Sequence, residues 1–279
     1  MKIVLLYSGG LDSFIMYRYA KKVYPEANIK CLYWNHYHNA ANSEINFLPK
    51  FVEIRNVDWL NKVNGYYSKH GDPSGPIYIP GRNLIFATLS ACQVLPDEFW
   101  LGALLEEDHP GGTDKNKKFL TSTSKLLSYV LSPFHDSIKI RTPLVESNLT
   151  KFRAVEWALN NGITSNELMT TISCYQQEDS NQLQPCGNCK QCLRRHLIFY
   201  DLGFEESYMQ DPILSIKNQT WINDLISEGI ERNWPATLVN DVHWPAFLKL
   251  QNDNRYIDND WINYIAYIIH QYKLIEKMI

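Results

Sequence analysis

No apolar run in this chain approaches the roughly 20 residues that cross a bilayer as a helix. No charge of one sign dominates either: 27 Lys and Arg stand against 30 Asp and Glu, a net charge of −3 over 279 residues. The first absence speaks against a membrane-spanning protein. The second removes the electrostatic footprint of a protein that grips nucleic acid or a membrane surface through a basic face. There is no internal repeat and no low-complexity segment. Gly-x-Gly-x-x-Gly is missing, which argues against a dinucleotide enzyme. Gly-x-x-x-x-Gly-Lys-Ser/Thr is missing too, so any phosphate loop here is not of the Walker type. The N-terminal run Met1 to Tyr7 stops at Ser8 with no small-residue cleavage site after it. It reads as a first strand rather than a signal peptide, and the cytosol is the expected compartment.

What remains is a chain with 45% hydrophobic residues, enough for a sizeable core. Its length suits one large domain, or an ordinary domain with an appendage. Short apolar runs at 2–7, 29–34, 51–57, 98–104 and 138–142 alternate with helical patterns near 12–23, 82–95, 115–131 and 149–161. In the first helix Phe14, Ile15, Tyr19 and Val23 recur at helical spacing; in the last, Phe152, Val155, Trp157 and Leu159 do. The first strand is apolar almost throughout, as a strand buried on both faces of a parallel sheet must be. The alternation predicts an α/β fold with a doubly wound parallel sheet. From about residue 205 strand patterns vanish and Trp221, Trp234, Trp244 and Trp261 enter. The segment 258–277 is apolar nearly all round, so its own domain or a partner must cover it. The expected division is therefore a domain over 1–204 and a helical extension over 205–279, with a homodimer one way of covering the last helix.

Ser8-Gly9-Gly10-Leu11-Asp12-Ser13 falls between the first strand and the first helix. Ligands bind α/β sheets at this carboxyl edge. Two glycines allow a sharp turn close to an anion. The N–H groups at the helix start then face it, favoured by the helix dipole. Ser8 and Ser13 add hydroxyls, and Asp12 suits Mg²⁺ or the orientation of neighbouring groups. Spacing alone fits a phosphate loop or a plain strand-to-helix turn capped by Asp12.

The second cluster is cysteine. Of six, Cys31 and Cys92 stand alone in apolar stretches, while Cys174, Cys186, Cys189 and Cys192 lie close together. In a cytosolic chain such clustering favours metal over disulfides. Gly187 allows the tight turn that lets Cys186 and Cys189 converge, Cys192 follows from the next helix, and Cys174 closes the set. Four thiolates satisfy a tetrahedral Zn²⁺ with no open position, a structural site. Four core thiols or an iron–sulfur cluster are the other readings.

The strand followed by Ser-Gly-Gly-x-Asp-Ser resembles the PP-loop of N-type ATP pyrophosphatases, which split ATP between the α and β phosphates and pass AMP to an acceptor oxygen. Further segments are similar to those of the 7-cyano-7-deazaguanine synthase family. These are Tyr78-Ile79-Pro80-Gly81-Arg82-Asn83-Leu84-Ile85-Phe86, Arg141-Thr142-Pro143-Leu144 with a Lys151-containing helix, and Ser173-Cys174-Tyr175 with Cys186-Gly187-x-Cys189-x-x-Cys192-x-Arg194. Together they span residues 1–200 in order. The resemblance implies an adenine nucleotide alpha hydrolase-like fold. It implies a C–N ligase that takes 7-carboxy-7-deazaguanine, ammonia and ATP with Mg²⁺ to the nitrile through adenylated intermediates. ATP contacts fall on Tyr7, Ser8, Gly9, Gly10, Leu11, Asp12, Ser13, Phe14, Arg82 and Asn83. Catalytic roles fall on Asp12, Arg82, Asp108 and Asp114. Arg82 is the candidate cation at the α-phosphate, and Asn83 a helix cap or a donor to the base. Lys125, Lys151 and Arg195 are expected to be surface charges.

Two segments depart from that family. A Gln-Arg-His stretch is replaced by Asn35-His36-Tyr37-His38-Asn39, and Tyr-Pro-Asp-Cys-Arg by Gly112-Thr113-Asp114-Lys115-Asn116. His36 and His38 read as structural histidines or proton shuttles. Both departures fall on the acceptor side. Other readings are therefore transfer of the activated carboxylate to another amine, such as one on a protein docked by the aromatic extension; a tRNA-modifying relative, which the −3 charge does not favour; and a zinc-stabilised nucleotide-binding scaffold without catalysis.

Overall fold

The computed structural model describes residues 1–36, 41–60, 79, 81–108, 114–174 and 184–278. His38, Pro80, Gly112, Thr113 and Tyr175 lie outside them. The chain divides into two compact units, Met1–Leu183 and Gln184–Ile279.

Among the described residues, the first unit is built on five strands: β1 (Lys2–Leu6), β2 (Asn28–Asn35), β3 (Val52–Asn56), β4 (Glu98–Trp100) and β5 (Lys139–Arg141). All neighbours pair in parallel, in the order β3-β2-β1-β4-β5. This is the doubly wound α/β sheet expected. β1 is central, and Ile3, Val4 and Leu5 are fully buried, which explains its unbroken apolar run. Strand order reverses between β1 and β4, so the crevice beyond their carboxyl ends is where such a sheet receives a ligand.

Among the described residues, seven helices accompany the sheet: α1 (Leu11–Val23), α2 (Ala41–Asn46), α3 (Arg82–Val94), α4 (Lys117–Leu131), α5 (Pro143–Glu146), α6 (Lys151–Asn160) and α7 (Ser165–Met169). The buried side of α1 is Leu11, Ser13, Ile15, Met16 and Ala20, not the stripe through Tyr19 and Val23. The buried side of α6 is Lys151, Ala154, Val155 and Ala158, and its larger apolar residues lie off that face. The two helices also touch through the half-buried rings of Tyr19 and Trp157, 5.3 Å apart.

β5 is an edge strand, and α4 closes that edge with two serines one turn apart. Ser124 Oγ accepts the Ile140 N–H at 2.8 Å. Ser128 Oγ accepts the Ile138 N–H at 2.9 Å and donates to its carbonyl at 3.1 Å. Groups that would otherwise template another strand are thereby satisfied.

The second unit holds α8 (Lys190–Asp201), α9 (Ile216–Glu231), α10 (Ala236–Asp241), α11 (Pro245–Leu250) and α12 (Asp260–Tyr272). Its core gathers Leu193, Leu197, Trp234, Trp244, Phe247 and Ile265. Trp244 is fully buried and donates its indole N–H to the Val239 carbonyl at 2.9 Å. α12 is shorter and more one-sided than expected. Ile262, Ile265, Ile268 and Ile269 are buried, but Tyr264 and Tyr267 are exposed, and Lys273 ends the helix in the left-handed conformation. Among the described residues of either unit, no helix is long and apolar enough to cross a membrane.

Candidate functional site

The loop after β1 turns at Gly9, whose φ of +79° suits glycine, and Gly10 holds the N-cap position of α1. A Cβ on Gly10 would lie 3.3 Å from the Ile172 carbonyl, and the Ile172 N–H is bonded to the Gly9 carbonyl at 3.1 Å. The segment before the cysteines thus grips the loop from behind. Ser13 is buried. Its hydroxyl accepts the Ser8 N–H at 3.2 Å and donates to the Gly10 carbonyl at 2.9 Å. It shapes the loop rather than presenting a donor outward, as the sequence had suggested. The cap position supplies no side-chain acceptor to the first turn of α1, so the N–H groups of that turn are left to serve an anion.

The chain after β4 passes close by: a Cβ on Gly102 would sit 3.8 Å from the backbone of Ser13. It then makes a single 3₁₀ turn, Leu105–Glu107, that buries Glu106. Glu106 Oε1 accepts the N–H of Lys151, the first residue of α6, at 3.2 Å. The Lys151 ammonium reaches back to Asp12 Oδ2 at 3.1 Å. Lys151 is only 5% exposed, so its expected place on the surface is wrong. Asp12 Oδ1 is buried and has no hydrogen-bond partner among the described residues. A buried carboxylate oxygen without a donor is costly unless a ligand or cation meets it. Asp12, Lys151 and Glu106 therefore form a charged constellation at the β1/β4 crevice. Glu106 went unmarked in sequence because it stands in an unremarkable Leu-Glu-Glu run. Lys151 reads as a surface charge in sequence because a lysine is rarely buried without a partner, and its partner Asp12 is 139 residues away.

α3 ends a few residues before β4 begins, so its N-terminus lies at the carboxyl edge of the sheet. Gly81, at φ +73°, is its N-cap, and Arg82 opens the helix as expected. The Arg82 guanidinium makes no hydrogen bond or ion pair among the described residues. Asn83 is buried and caps nothing; its amide donates to the Asp114 carbonyl at 3.3 Å, joining α3 to the approach to α4. Asp114 is half-buried, and its neighbour Lys115 is paired with Glu107. Asp108 is exposed at the mouth of a cleft of about 600 Å³ that Thr121, Lys125, Arg141 and Asn148 also line. His36 is buried, with its ring 5.8 Å from that of Phe86.

The cysteine set assembles as expected. The Sγ atoms of Cys174, Cys186, Cys189 and Cys192 all lie within 4.8 Å of one another. The Cys189–Cys192 pair is 3.4 Å apart and the Cys186–Cys192 pair 3.9 Å. A tetrahedral ion with bonds of about 2.3 Å to sulfur sets its ligands about 3.8 Å apart, so the donor set fits one metal ion. The Asn188 N–H donates to Cys186 Sγ at 3.3 Å, which favours a thiolate. Gly187 is required twice over: its φ is +74°, and a Cβ there would fall 1.7 Å from the Gln210 carbonyl. Buried Asn218 then bonds the Gly187 carbonyl at 2.8 Å, a support that nothing in the sequence signalled. Arg195 is buried as well, contrary to expectation. It grips Glu206 at 2.8 to 3.0 Å and lies over the Phe199 ring.

A doubly wound parallel sheet, a glycine loop at its switch point and a four-cysteine metal knuckle define the class: a PP-loop α/β protein with a metal-binding loop. A family model described as queuosine biosynthesis protein QueC matches residues 2–203, and the chain belongs to that family. It is 32% identical over 235 residues to the 7-cyano-7-deazaguanine synthase of a Nitratiruptor species, covering 76% of this chain and 98% of that relative. It is 25% identical over 233 residues to the 7-cyano-7-deazaguanine synthase of Methanococcus maripaludis, covering 74% and 97%. Among solved structures it is similar to the U34-tRNA thiolase NcsA from Methanococcus maripaludis with its 4Fe-4S cluster. That likeness has 13% identity and a TM-score of 0.36 over 91% of this chain and 74% of that one.

Proposed function

We propose that this chain is an ATP-dependent C–N ligase that converts 7-carboxy-7-deazaguanine and ammonia to 7-cyano-7-deazaguanine. The observation that carries the reading is the pair of buried Lys151 with half-buried Asp12 beside the open first turn of α1, at the switch point of the sheet. Family membership supplies the substrate class.

In the first half-reaction a substrate carboxylate oxygen attacks the α-phosphorus of ATP, and pyrophosphate leaves. Tyr7 to Phe14 form the phosphate seat, with the N–H groups of Leu11, Asp12 and Ser13 as donors. Asp12 would hold Mg²⁺, which would offset phosphate charge when bound. Lys151 holds Asp12 in place and adds positive charge beneath the loop. Arg82, which has no partner within the described residues, is the cation for the α-phosphate. Asn83 holds the Asp114 segment against α3, and Asp108 and Asp114 face the substrate side. Ammonia then displaces AMP to give the amide. A second ATP adenylates the amide oxygen, and loss of AMP leaves the nitrile.

The four thiolates hold a structural Zn²⁺. Ligands sharing one ion sit as close as these do, whereas cluster thiolates each bind a different iron and stand farther apart. Thiolate ligation also supports a reducing, cytoplasmic location. Residues 205–279 extend a family core that ends near residue 203.

The test is incubation with ATP, Mg²⁺, ammonia and 7-carboxy-7-deazaguanine. Two AMP and two pyrophosphate per nitrile are expected. No AMP release with that substrate would sink the assignment.

A further inference from the structure

The outer face of α4 serves neither the fold nor the proposed chemistry. Its inner side buries Thr123, Leu127 and Leu131, and its flank is bonded to β5 through Ser124 and Ser128. The side left over carries Leu126, Tyr129 and Val130, with Phe134 just past the helix end. Leu126, Tyr129 and Val130 fall at i, i+3 and i+4 on one side of the helix, and Phe134 follows in the turn after it. Tyr129 is 81% exposed and Phe134 74%. Apolar side chains massed this way on a solvent face mark a partner surface. Exposed Lys118 and Lys125 lie along one edge of the stripe, with no ion pair among the described residues. The occupant this face fits is apolar at its centre and acidic at its rim.

The second unit carries such a face. It holds 12 Asp and Glu against 9 Lys and Arg. On α12, Asp260, Tyr264 and Tyr267 lie at i, i+4 and i+7 on the side away from the unit's core. Ile257 and Asp258 adjoin them just before the helix cap. All five are exposed, and neither aspartate has an ion pair among the described residues.

We propose that α12 of one copy docks on the outer face of α4 of a second copy. Tyr264 and Tyr267 pack on the Leu126–Val130 stripe, and Asp258 and Asp260 meet the lysines. The two surfaces differ, so the contact is heterologous: each copy offers both halves, and the assembly closes into a ring or continues as a chain. The helix pair is the centre of an interface whose usual size is about 800 Å² per partner. α12 lies beyond residue 203, where the family match ends, so the contact belongs to this chain's extension.

The test is sedimentation of the full metal-loaded chain over a concentration series, with Tyr129→Glu and Tyr267→Lys variants. The wild-type mass is expected to rise above that of the monomer with concentration. Either variant alone should weaken association about tenfold or more, as loss of a central tyrosine does. An equal mixture of the two should associate again into one-to-one pairs, because each supplies the half the other lacks. AMP formation should be unchanged in both, which separates this contact from the proposed site and confirms folding. A wild-type chain that stays monomeric at every concentration overturns the proposal. So does dissociation by Tyr129→Glu with Tyr267→Lys unaffected, the signature of two α4 faces meeting each other or of a foreign partner's site. A mixture that fails to associate does so too.

Discussion

Replacing Lys151 by methionine keeps the length and apolar bulk of the side chain and removes only the ammonium. Lys151 is 5% exposed and lies 3.1 Å from Asp12. Removing one partner of a fully buried pair costs about 3–5 kcal/mol. Two features reduce that here. The Asp12 side chain keeps 28% exposure, so water partly solvates the stranded charge. The start of α1 also returns about 0.3–1 kcal/mol to a carboxylate in its first turn. A stability loss of about 1–3 kcal/mol follows, small enough to leave the protein folded at 25 °C. The chemical cost is larger. One preorganised group at a site of developing charge is worth about 2.7–4 kcal/mol, or roughly 10²–10³ in kcat. Urea denaturation and AMP release over a Mg²⁺ series measure the two separately. Asp12→Asn in the same background completes a cycle. Because the pair is in contact, the double variant should lose less stability than the sum of the singles, by about 1–2 kcal/mol. Strict additivity, or AMP formation by Lys151→Met within twofold of wild type, would refute the coupling.

Ser124→Ala strands the Ile140 N–H at the sheet edge and should cost about 1–3 kcal/mol, with early hydrogen exchange at that amide by NMR. Gly187→Ala drives a methyl into the Gln210 carbonyl, and Cys189→Ser removes a ligand. Both should lower folded yield together with metal content by mass spectrometry, since metal binding and folding are coupled; a stable, soluble, metal-free Cys189→Ser protein would contradict a structural ion. Bonds from the Thr164 backbone and hydroxyl, then the charge of Arg18, hold the Glu167 carboxyl below its ordinary 4.5. Its contribution is therefore present above pH 4.5 and lost as pH falls through the lower folded value. Glu167→Gln should cost a few tenths to about 1 kcal/mol at pH 7 by thermal denaturation, and progressively less at acid pH. At pH 8 a thiol reagent on the metal-loaded protein should modify exposed Cys92 and spare Cys31, whose thiol burial pushes up to about 12.

The sheet was legible because its strands carry their burial in their composition. Ile3 to Leu5 admit no polar residue, and the turn chemistry at Gly9, Gly81 and Gly187 marks three places where the backbone needs a positive φ. The metal knuckle was legible for the same reason: four thiols and a glycine at fixed spacing leave few other uses. The short strands β4 and β5 were overread, since Leu101 to Leu104 continue the apolar pattern while leaving the ladder for the crevice. Buried charge was the larger blind spot. A lysine or arginine in sequence carries a strong prior for the surface. Only the three-dimensional meeting of Lys151 with Asp12, 139 residues apart, or of Arg195 with Glu206, overturns it. Large apolar residues misled in the opposite direction: Tyr19 and Trp157 meet only half-buried, while Ala20, Ala154 and Ala158 are fully buried.

The two sides of the crevice differ in kind, and the difference bears on the departures around His36 and Gly112. On the β1/β4 side the side chains are charged: Asp12, Lys151 and Glu106, braced by one another and by helix starts. On the β2/α3 side Arg82 opens the helix, and the core behind it is aromatic and amide. His36 lies beside Phe86, Trp34 stacks on the same ring at 6.3 Å and donates to Ser90, and Asn35 bonds Asn56 at the strand ends. Phosphoryl transfer concentrates charge, while a planar deazapurine needs flat surfaces and amide edges. A family arginine replaced near His36 therefore falls on the side where shape and hydrogen bonding do the selecting. The Asp12–Lys151 pair remains on the other side, and Arg82 at the start of α3 is untouched by the replacement. Substitution there changes what is held, and leaves the means of activation in place.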